Sequence, residues 1–371
     1  MSRTKYLKTN VLEEARKRIA MIFDDFEKIV VSISGGKDST VLCYLALLEA
    51  EKRGRKISLF FLDEEVVYKN TIEQVQYLMN LKQANTIRLW YQIPFNLTNA
   101  TSLNESFLRC WEKSVKKKWM RKRRKDNVIR QNWSHETKIA NKNIGLDFYD
   151  VIKNIELSYE NTAILVGLRA VESPNRWRTM VKNPGYKNVY WSTKKGGSNY
   201  SFYPIYDWNT SDIWKYIGEQ GLKYHKYYDF CFLKGVHPHL MRISSLIHEK
   251  SFKSIQDLPE FEPDTYEKLL DRISGISFCQ ETGKDKKVFK VRQLPKNYKT
   301  WKEYRDFLLL TYPDKSKKSI FERRFSNHYE NEFVARQQCR QLVLNDYENN
   351  LPVDNKLDPV QEKIELWRKI L

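Results

Sequence analysis

The segment Ile29-Val30-Val31-Ser32-Ile33-Ser34-Gly35-Gly36-Lys37-Asp38-Ser39-Thr40-Val41-Leu42 constrains this chain more than any other. Its apolar, β-branched start (Ile29 to Ile33) predicts a buried strand. The run stops at a glycine pair, after which Asp38-Ser39 opens a segment with helical spacing: Val41, Leu42, Leu45 and Leu48. A strand, a turn of small residues and a helix start together make an anion site. The glycines let successive backbone N–H groups converge, and the helix N-terminus adds positive potential. Lys37 places a mobile cation beside it. The spacing is neither the dinucleotide G-x-G-x-x-G nor the Walker G-x-x-x-x-G-K-[ST].

Around this unit the chain alternates. Residues 3–28 read as an amphipathic helix with Val11, Leu12, Ala15, Ile19, Ile22 and Phe23 on one face. A second strand, Lys56 to Asp63, ends on Asp63-Glu64-Glu65, at the carboxyl end where open α/β sheets gather ligands. A helix over about 66–83 leads to a third strand, Thr86 to Phe95, and a polar loop follows from Thr98 to Ser106. A helix near 147–158 precedes a fourth strand, Asn161 to Gly167. Such alternation predicts an α/β fold: an open, mostly parallel sheet with helices on both faces and right-handed crossovers. The fourth strand runs into a loop bearing Arg169, Arg176 and Arg178, where guanidinium groups suit a phosphate or sulfate. Beyond about 220 the chain becomes mainly helical, with helices expected over Asp264–Ile273, Lys302–Leu310 and Phe333–Leu342. A loop from Leu351 to Pro359 leads to a short terminal helix.

Three blocks carry a family resemblance. Ser34-Gly35-Gly36-Lys37-Asp38-Ser39 resembles the PP-loop, SGGxDS, of the adenine-nucleotide α-hydrolase superfamily, which holds ATP pyrophosphatases, tRNA thiolation enzymes and phosphoadenosine phosphosulfate (PAPS) reductases. Gly167-Leu168-Arg169 through Ser173 to Arg176 resembles the G-x-R-x-x-x-S…R element of PAPS reductases, and Pro204-Ile205-Tyr206-Asp207-Trp208 through Asp212-Ile213-Trp214 their P-I-x-D-W-x-x-x-D-[IV]-W block. In that last block a helix is expected to start at a cap, Thr210 or Ser211, with Asp212 in its first turn. The whole chain looks similar to the IbrA/YbdN branch of PAPS-reductase-like proteins. The resemblance implies a PP-loop/HUP-like nucleotide domain over 1–220 and a family-specific region over 221–371.

It also implies an adenine-nucleotide ligand, PAPS or ATP, held by Ser34, Gly35, Gly36, Lys37, Asp38, Ser39, Asp63, Glu64, Gly167, Arg169, Ser173 and Arg176. Lys37, Asp38 and Asp63 are the expected catalytic groups. Two reactions are open: sulfonate transfer from PAPS, or attack on the α-phosphorus of ATP. In the second, Asp38 with Asp63 or Glu64 would hold Mg²⁺ against the charge of the leaving pyrophosphate. The E-C-G-L-H thiol motif of true PAPS reductases is missing, so reduction is not expected. An alternative is a nucleotide-responsive regulator acting with a ParB-like partner, as the resemblance implies for IbrA-like proteins.

A net charge of +19 favours an anionic partner. Nine basic residues fall between Lys113 and Lys125 without an acid, spread all around any helix drawn through them. Lys116, Lys117, Lys118, Arg121, Lys122, Arg123, Arg124 and Lys125 are therefore expected to meet DNA or RNA phosphates, unless they form a merely solvated surface. Five scattered cysteines (43, 110, 231, 279 and 339) make no C-x-x-C pair and no iron–sulfur cluster set. Cys339 is expected to be buried and inert. Cys231 with His237 and His239 offers a partial zinc set without an evident fourth ligand. No apolar run approaches the ~18 residues of a transmembrane helix, and the N-terminus lacks a signal-peptide core. The expectation is a cytoplasmic protein with reduced thiols.

Overall fold

The computed structural model describes residues 7–81, 86–102, 105–125, 128–129, 146–181, 185–248, 251–277, 293–355 and 367. In chain order its first part contains α1 (Val11–Asp25), β1 (Lys28–Ser32), α2 (Lys37–Lys52), β2 (Ser58–Leu62), α3 (Lys69–Met79), β3 (Ile87–Tyr91), β4 (Phe95–Thr98) and β5 (Phe107–Cys110). There follow β6 (Val128–Ile129), α4 (Phe148–Leu157), β7 (Thr162–Val166), α5 (Pro174–Val181), β8 (Ser192–Gly196), β9 (Asn199–Phe202), α6 (Thr210–Glu219) and α7 (Tyr227–Leu233). The last part is helical: α8 (Phe252–Phe261), α9 (Pro263–Arg272), α10 (Trp301–Leu310), α11 (Lys315–Phe325) and α12 (Glu332–Val343).

Seven strands form one sheet in the order β6-β3-β2-β1-β7-β9-β8. Every neighbouring pair is parallel except β8–β9. β1 lies at the centre, with Val31 aligned on Leu59 of β2 and on Leu165 of β7. Ile29 and Val31 face a core that also holds Ile19 and Phe23 of α1, Leu42 and Leu45 of α2, Val75 and Leu78 of α3, and Ile213 and Ile217 of α6. Val30 projects to the other side of the strand and is buried as well. Burial on both sides is why the strand reads as an unbroken β-branched run.

By packing the chain divides into two compact units. The first comprises residues 1–95, 110–114 and 121–243, and the second 96–109, 115–120 and 244–371. Residues 221–243, placed by sequence beyond the nucleotide domain, cluster with the first unit. Within the second unit Cys339, Val343 and Leu344 of the α12 region pack with Trp301, Tyr304 and Leu308 of α10. Arg305, nearly buried, is held there by Glu330 and Gln338.

Several expectations are corrected in detail. The N-terminal helix starts at Val11 rather than near residue 3, because the Asn10 side chain accepts the Leu12 N–H and caps it. The third strand ends at Tyr91, since Pro94 has no N–H with which to continue the ladder. The cap of α6 is Asn209 rather than Thr210 or Ser211, and the Asp212 carboxylate accepts the Asn209 N–H at 2.7 Å. The polar pair β8–β9 was not anticipated, nor were α7, α8 and α11. Residues 113–118 form a 3-10 helix kinked at Val115. The expected terminal helix lies outside the described residues, apart from Trp367. Among the described residues no helix is long and apolar enough to cross a membrane.

Candidate nucleotide site

The loop between β1 and α2 is held by its own side chains. The Ser34 N–H donates to Ser39 Oγ at 3.2 Å, and Ser39 Oγ–H donates to the Gly36 carbonyl at 3.0 Å. Gly35 has φ +76°, a left-handed conformation that favours glycine. A Cβ there would also meet Thr71 Cγ2 of α3 at 3.0 Å. Gly36, extended, is the residue that caps α2, so the helix begins at Lys37 and not at Asp38. The N-terminus of a sixteen-residue helix thus points at the loop.

The charged groups form a chain of alternating sign. Lys37 Nζ lies 3.1 Å from Asp38 Oδ2, and Arg169 Nε donates to Asp38 Oδ1 at 2.6 Å. Arg169 reaches Glu172 Oε1 at 3.4 Å, and Glu172 Oε2 pairs with Arg176. Lys37 is only 3% exposed and Arg169 2%. Burial lowers the Lys37 pKa from its ordinary 10.5, and Arg169 and Arg176 push the same way against the pull of Asp38. Arg169 also donates to Thr210 Oγ1 at 3.3 Å, and Arg242 donates to the Glu172 carbonyl at 3.0 Å. Ser173 Oγ accepts the Arg176 N–H at 3.3 Å.

Gly167 works through its missing side chain. A Cβ there would stand 2.9 Å from the Ser39 nitrogen and 3.0 Å from the Asp38 carbonyl carbon, both backbone atoms that cannot turn aside. Gly167→Ala is therefore expected to push the strand-end loop off the start of α2, at a cost of about 1–3 kcal/mol. Chemical denaturation measures this, and a loss below about 0.5 kcal/mol would mean the two segments separate freely.

Asp63, expected beside a metal, is instead a buried junction. Oδ1 accepts the Glu65 N–H and pairs with Arg121, while Oδ2 accepts Trp90 Nε1–H and Gln92 Nε2–H, each at 2.9 Å. Glu65 has φ +62° and its carboxylate accepts the Trp111 N–H at 2.6 Å. Trp111 Nε1–H returns to the Asp63 carbonyl at 2.6 Å. Magnesium at Asp63 would have to displace Arg121 or buried neutral donors, and at Asp38 it would meet two cations already in contact. This donor set does not fit the metal. Glu64 lies beside the junction, half-buried, its carbonyl accepting from Cys110 Sγ.

The same junction reassigns part of the basic run. Besides pairing with Asp63, Arg121 donates to the Glu65 carbonyl and lies over the Trp111 ring. Arg123 donates to the Trp111 carbonyl, and Arg124 lies 4.7 Å from the centre of the Trp90 ring. These contacts tie the three half-buried guanidinium groups to the fold. Lys116, Lys117, Lys118, Lys122 and Lys125 are exposed, with Lys118 3.4 Å from Asp271.

Two site residues carry no signal in the sequence. Tyr228 of α7 is buried and its hydroxyl accepts the Lys37 N–H at 3.2 Å. His225, also buried, sits 3.0 Å from Thr71 Oγ1, one contact away from Gly35. Glu172 lay within a recognised segment, between two arginines, and that position was the available clue. The rings of His237 and His239 stack, and His239 Nδ1 lies 3.1 Å from Thr210 Oγ1. Among the described residues no three His, Cys, Asp or Glu side chains gather as metal ligands. Cys43, Cys110, Cys231 and Cys339 are all buried, and burial pushes the thiols of Cys43 and Cys339 up to about 12. Cys279 lies outside the described residues.

Residues 28–255 match the phosphoadenosine phosphosulfate reductase domain, and residues 235–340 match a domain of unknown function (DUF3440). The uncharacterized protein YbdN of Escherichia coli (strain K12) is 27% identical over 378 residues, spanning 98% of this chain and 87% of that protein. Among solved structures, PAPS reductase from Candida auris in a phosphate complex is 11% identical, covers 62% of this chain and 94% of its own, and has a TM-score of 0.33. NMN synthetase from Francisella tularensis is 13% identical, with 78% and 100% coverage and a TM-score of 0.36. FMN adenylyltransferase from Candida glabrata, with FAD and inorganic pyrophosphate, is 14% identical, with 59% and 58% coverage and a TM-score of 0.35. At such scores these structural likenesses do not bear on function.

Proposed function

Because the chain belongs to the phosphoadenosine phosphosulfate reductase domain family through residues 28–255, we propose that it is an adenine-nucleotide-dependent group-transfer enzyme. The nucleotide is PAPS or ATP, and the group passed on is a sulfonate or an adenylyl. One observation carries the reading: Lys37, Arg169 and Arg176 form a chain of three cations, linked through Asp38 and Glu172, that starts at the first residue of α2 beside the glycine turn. Backbone N–H groups and the helix terminus would receive the phosphate oxygens, with Lys37 beside them as a point charge. Arg169 and Arg176 would hold a second anionic group by bidentate hydrogen bonds. Such preorganised donors stabilise the charge that develops on a departing phosphate or sulfonate.

Calorimetric titration with PAPS and, separately, with ATP and Mg²⁺ tests this. Lys37→Ala/Asp38→Ala is expected to weaken binding by at least about a hundredfold, the loss of about 2.7 kcal/mol. Absence of binding for both nucleotides in the parent protein would overturn the proposal. Preference for one selects the reaction: PAPS for sulfonate transfer, ATP for adenylyl transfer with pyrophosphate release.

A further inference from the structure

Glu172 is the only carboxylate in the charge chain that touches two guanidinium groups. It lies in a 3-10 turn, Ala170–Glu172, directly after Arg169 and before α5. Its side chain is 10% exposed, while that of Arg176 is 42% exposed. One oxygen faces Arg169, which is fixed on its other edges by Asp38 and Thr210; the other faces Arg176, which is open to solvent. Arg242 adds a third guanidinium at the Glu172 carbonyl. Oε2 lies against Arg176 as an ion pair without a formed hydrogen bond, so the carboxylate fills, between two forked cations, the space that a phosphate oxygen pair would take.

We propose that Glu172 is an internal counter-anion, holding between Arg169 and Arg176 the place of an anionic group of the ligand and thereby setting the site's affinity and its selectivity for charge. The proposal rests on the nucleotide reading above for the identity of the ligand, though not for the anion competition itself. Lys37, Arg169 and Arg176 against Asp38 and Glu172 leave a single net positive charge. An incoming group must outdo a carboxylate already in contact. A dianionic phosphoryl group does so better than a singly charged sulfonate or phosphodiester, because its attraction to the pair of guanidiniums scales with its charge. Glu172 thus acts as a specificity residue, favouring ligands that end in a phosphate dianion or a pyrophosphate. Without it, weakly charged anions would compete.

The test compares the full-length parent, Glu172→Gln and Glu172→Asp, with inorganic pyrophosphate as the probe in calorimetry and in thermal unfolding. Glu172→Gln keeps the shape and an acceptor oxygen but removes the charge, and is expected to bind pyrophosphate about tenfold more tightly. Glu172→Asp keeps the charge and is expected to stay within about threefold of the parent. In anion-free buffer Glu172→Gln should melt below the parent, since two guanidiniums lose their counter-charge, and pyrophosphate should raise its melting temperature by more than it raises the parent's. A merely structural Glu172 would lower the melting temperature without enlarging that shift. Equal or weaker pyrophosphate binding by Glu172→Gln, or no pyrophosphate binding by either protein, overturns the inference. PAPS and ATP titrated into the same two proteins separate it from the functional reading. Tighter pyrophosphate binding without nucleotide binding keeps the counter-anion and removes the nucleotide; nucleotide binding unaffected by the charge does the reverse.

Discussion

Asp63→Ala is expected to destabilise the protein by about 3–5 kcal/mol, a large part of the roughly 5–15 kcal/mol available to a folded domain. The carboxylate is fully buried and accepts from four groups, one of them the Arg121 guanidinium. Alanine leaves the Trp90 and Gln92 donors and the Glu65 N–H without their acceptor, and it leaves Arg121 against the protein interior. Each abandoned neutral donor carries a desolvation penalty of about 1–3 kcal/mol unless water enters. Urea denaturation gives the magnitude, and a double-mutant cycle with Arg121→Met isolates the ionic part. A loss under about 1 kcal/mol would show that the junction rearranges at little cost. Asp63→Asn keeps the shape but turns a donor toward other donors, so it should fall between parent and alanine.

Acid should weaken the fold through His225. Burial lowers its pKa from 6.5 to about 3, so the folded protein keeps it neutral while the unfolded chain takes up a proton below 6.5. The sign follows from linkage: the folded state binds fewer protons, so stability falls with decreasing pH from 6.5 downward and levels off only near 3. Between pH 7 and pH 5 this one residue accounts for about 2 kcal/mol. The Tyr227 N–H donates to Nδ1 at 3.2 Å, so the ring's own proton sits on Nε2 and is directed at Thr71 Oγ1. Protonating Nδ1 would place a donor against a donor, and the disturbance would reach Gly35 through Thr71. Denaturation curves for the parent and His225→Asn at pH 7 and pH 5 check this. The variant should lose about 2 kcal/mol less over that interval. Equal losses would place the acid sensitivity elsewhere.

The parts of this architecture that local chemistry determines were visible in the chain. Strand, glycine turn and helix start declare themselves between Ile29 and Leu42 because burial, backbone freedom and helical spacing each leave a mark within fourteen residues. The carboxyl end of β2 and the Gly167–Arg169 turn were legible for the same reason. What escaped depends on partners far along the chain. Arg121 reads as one more cation in a basic run, and only the fold brings it to Asp63. Asp63 itself reads as a ligand for magnesium until Trp90, Gln92 and Arg121 are seen around it. Edge strand β8 carries Ser, Thr and Lys without apolar alternation, and its neighbour β9 offers only Tyr200 and Phe202 within four residues, too short a run to signal a strand. Tyr228 and His225 look like ordinary core aromatics, because their roles lie in what their polar atoms reach.

The central position of β1 has a consequence for how the chain is made. One of its neighbours, β2, follows within a few tens of residues, but the other is β7, where Leu165 must find Val31. At ribosomal rates of about 5–20 residues per second, β1 leaves the tunnel on the order of ten seconds before that partner exists. Throughout this interval an apolar strand presents a bare row of N–H and C=O groups, the kind of edge that templates aggregation. The nascent protein is therefore exposed to misassembly while its nucleotide loop is half built. A bound holdase that covers this edge should raise the soluble yield.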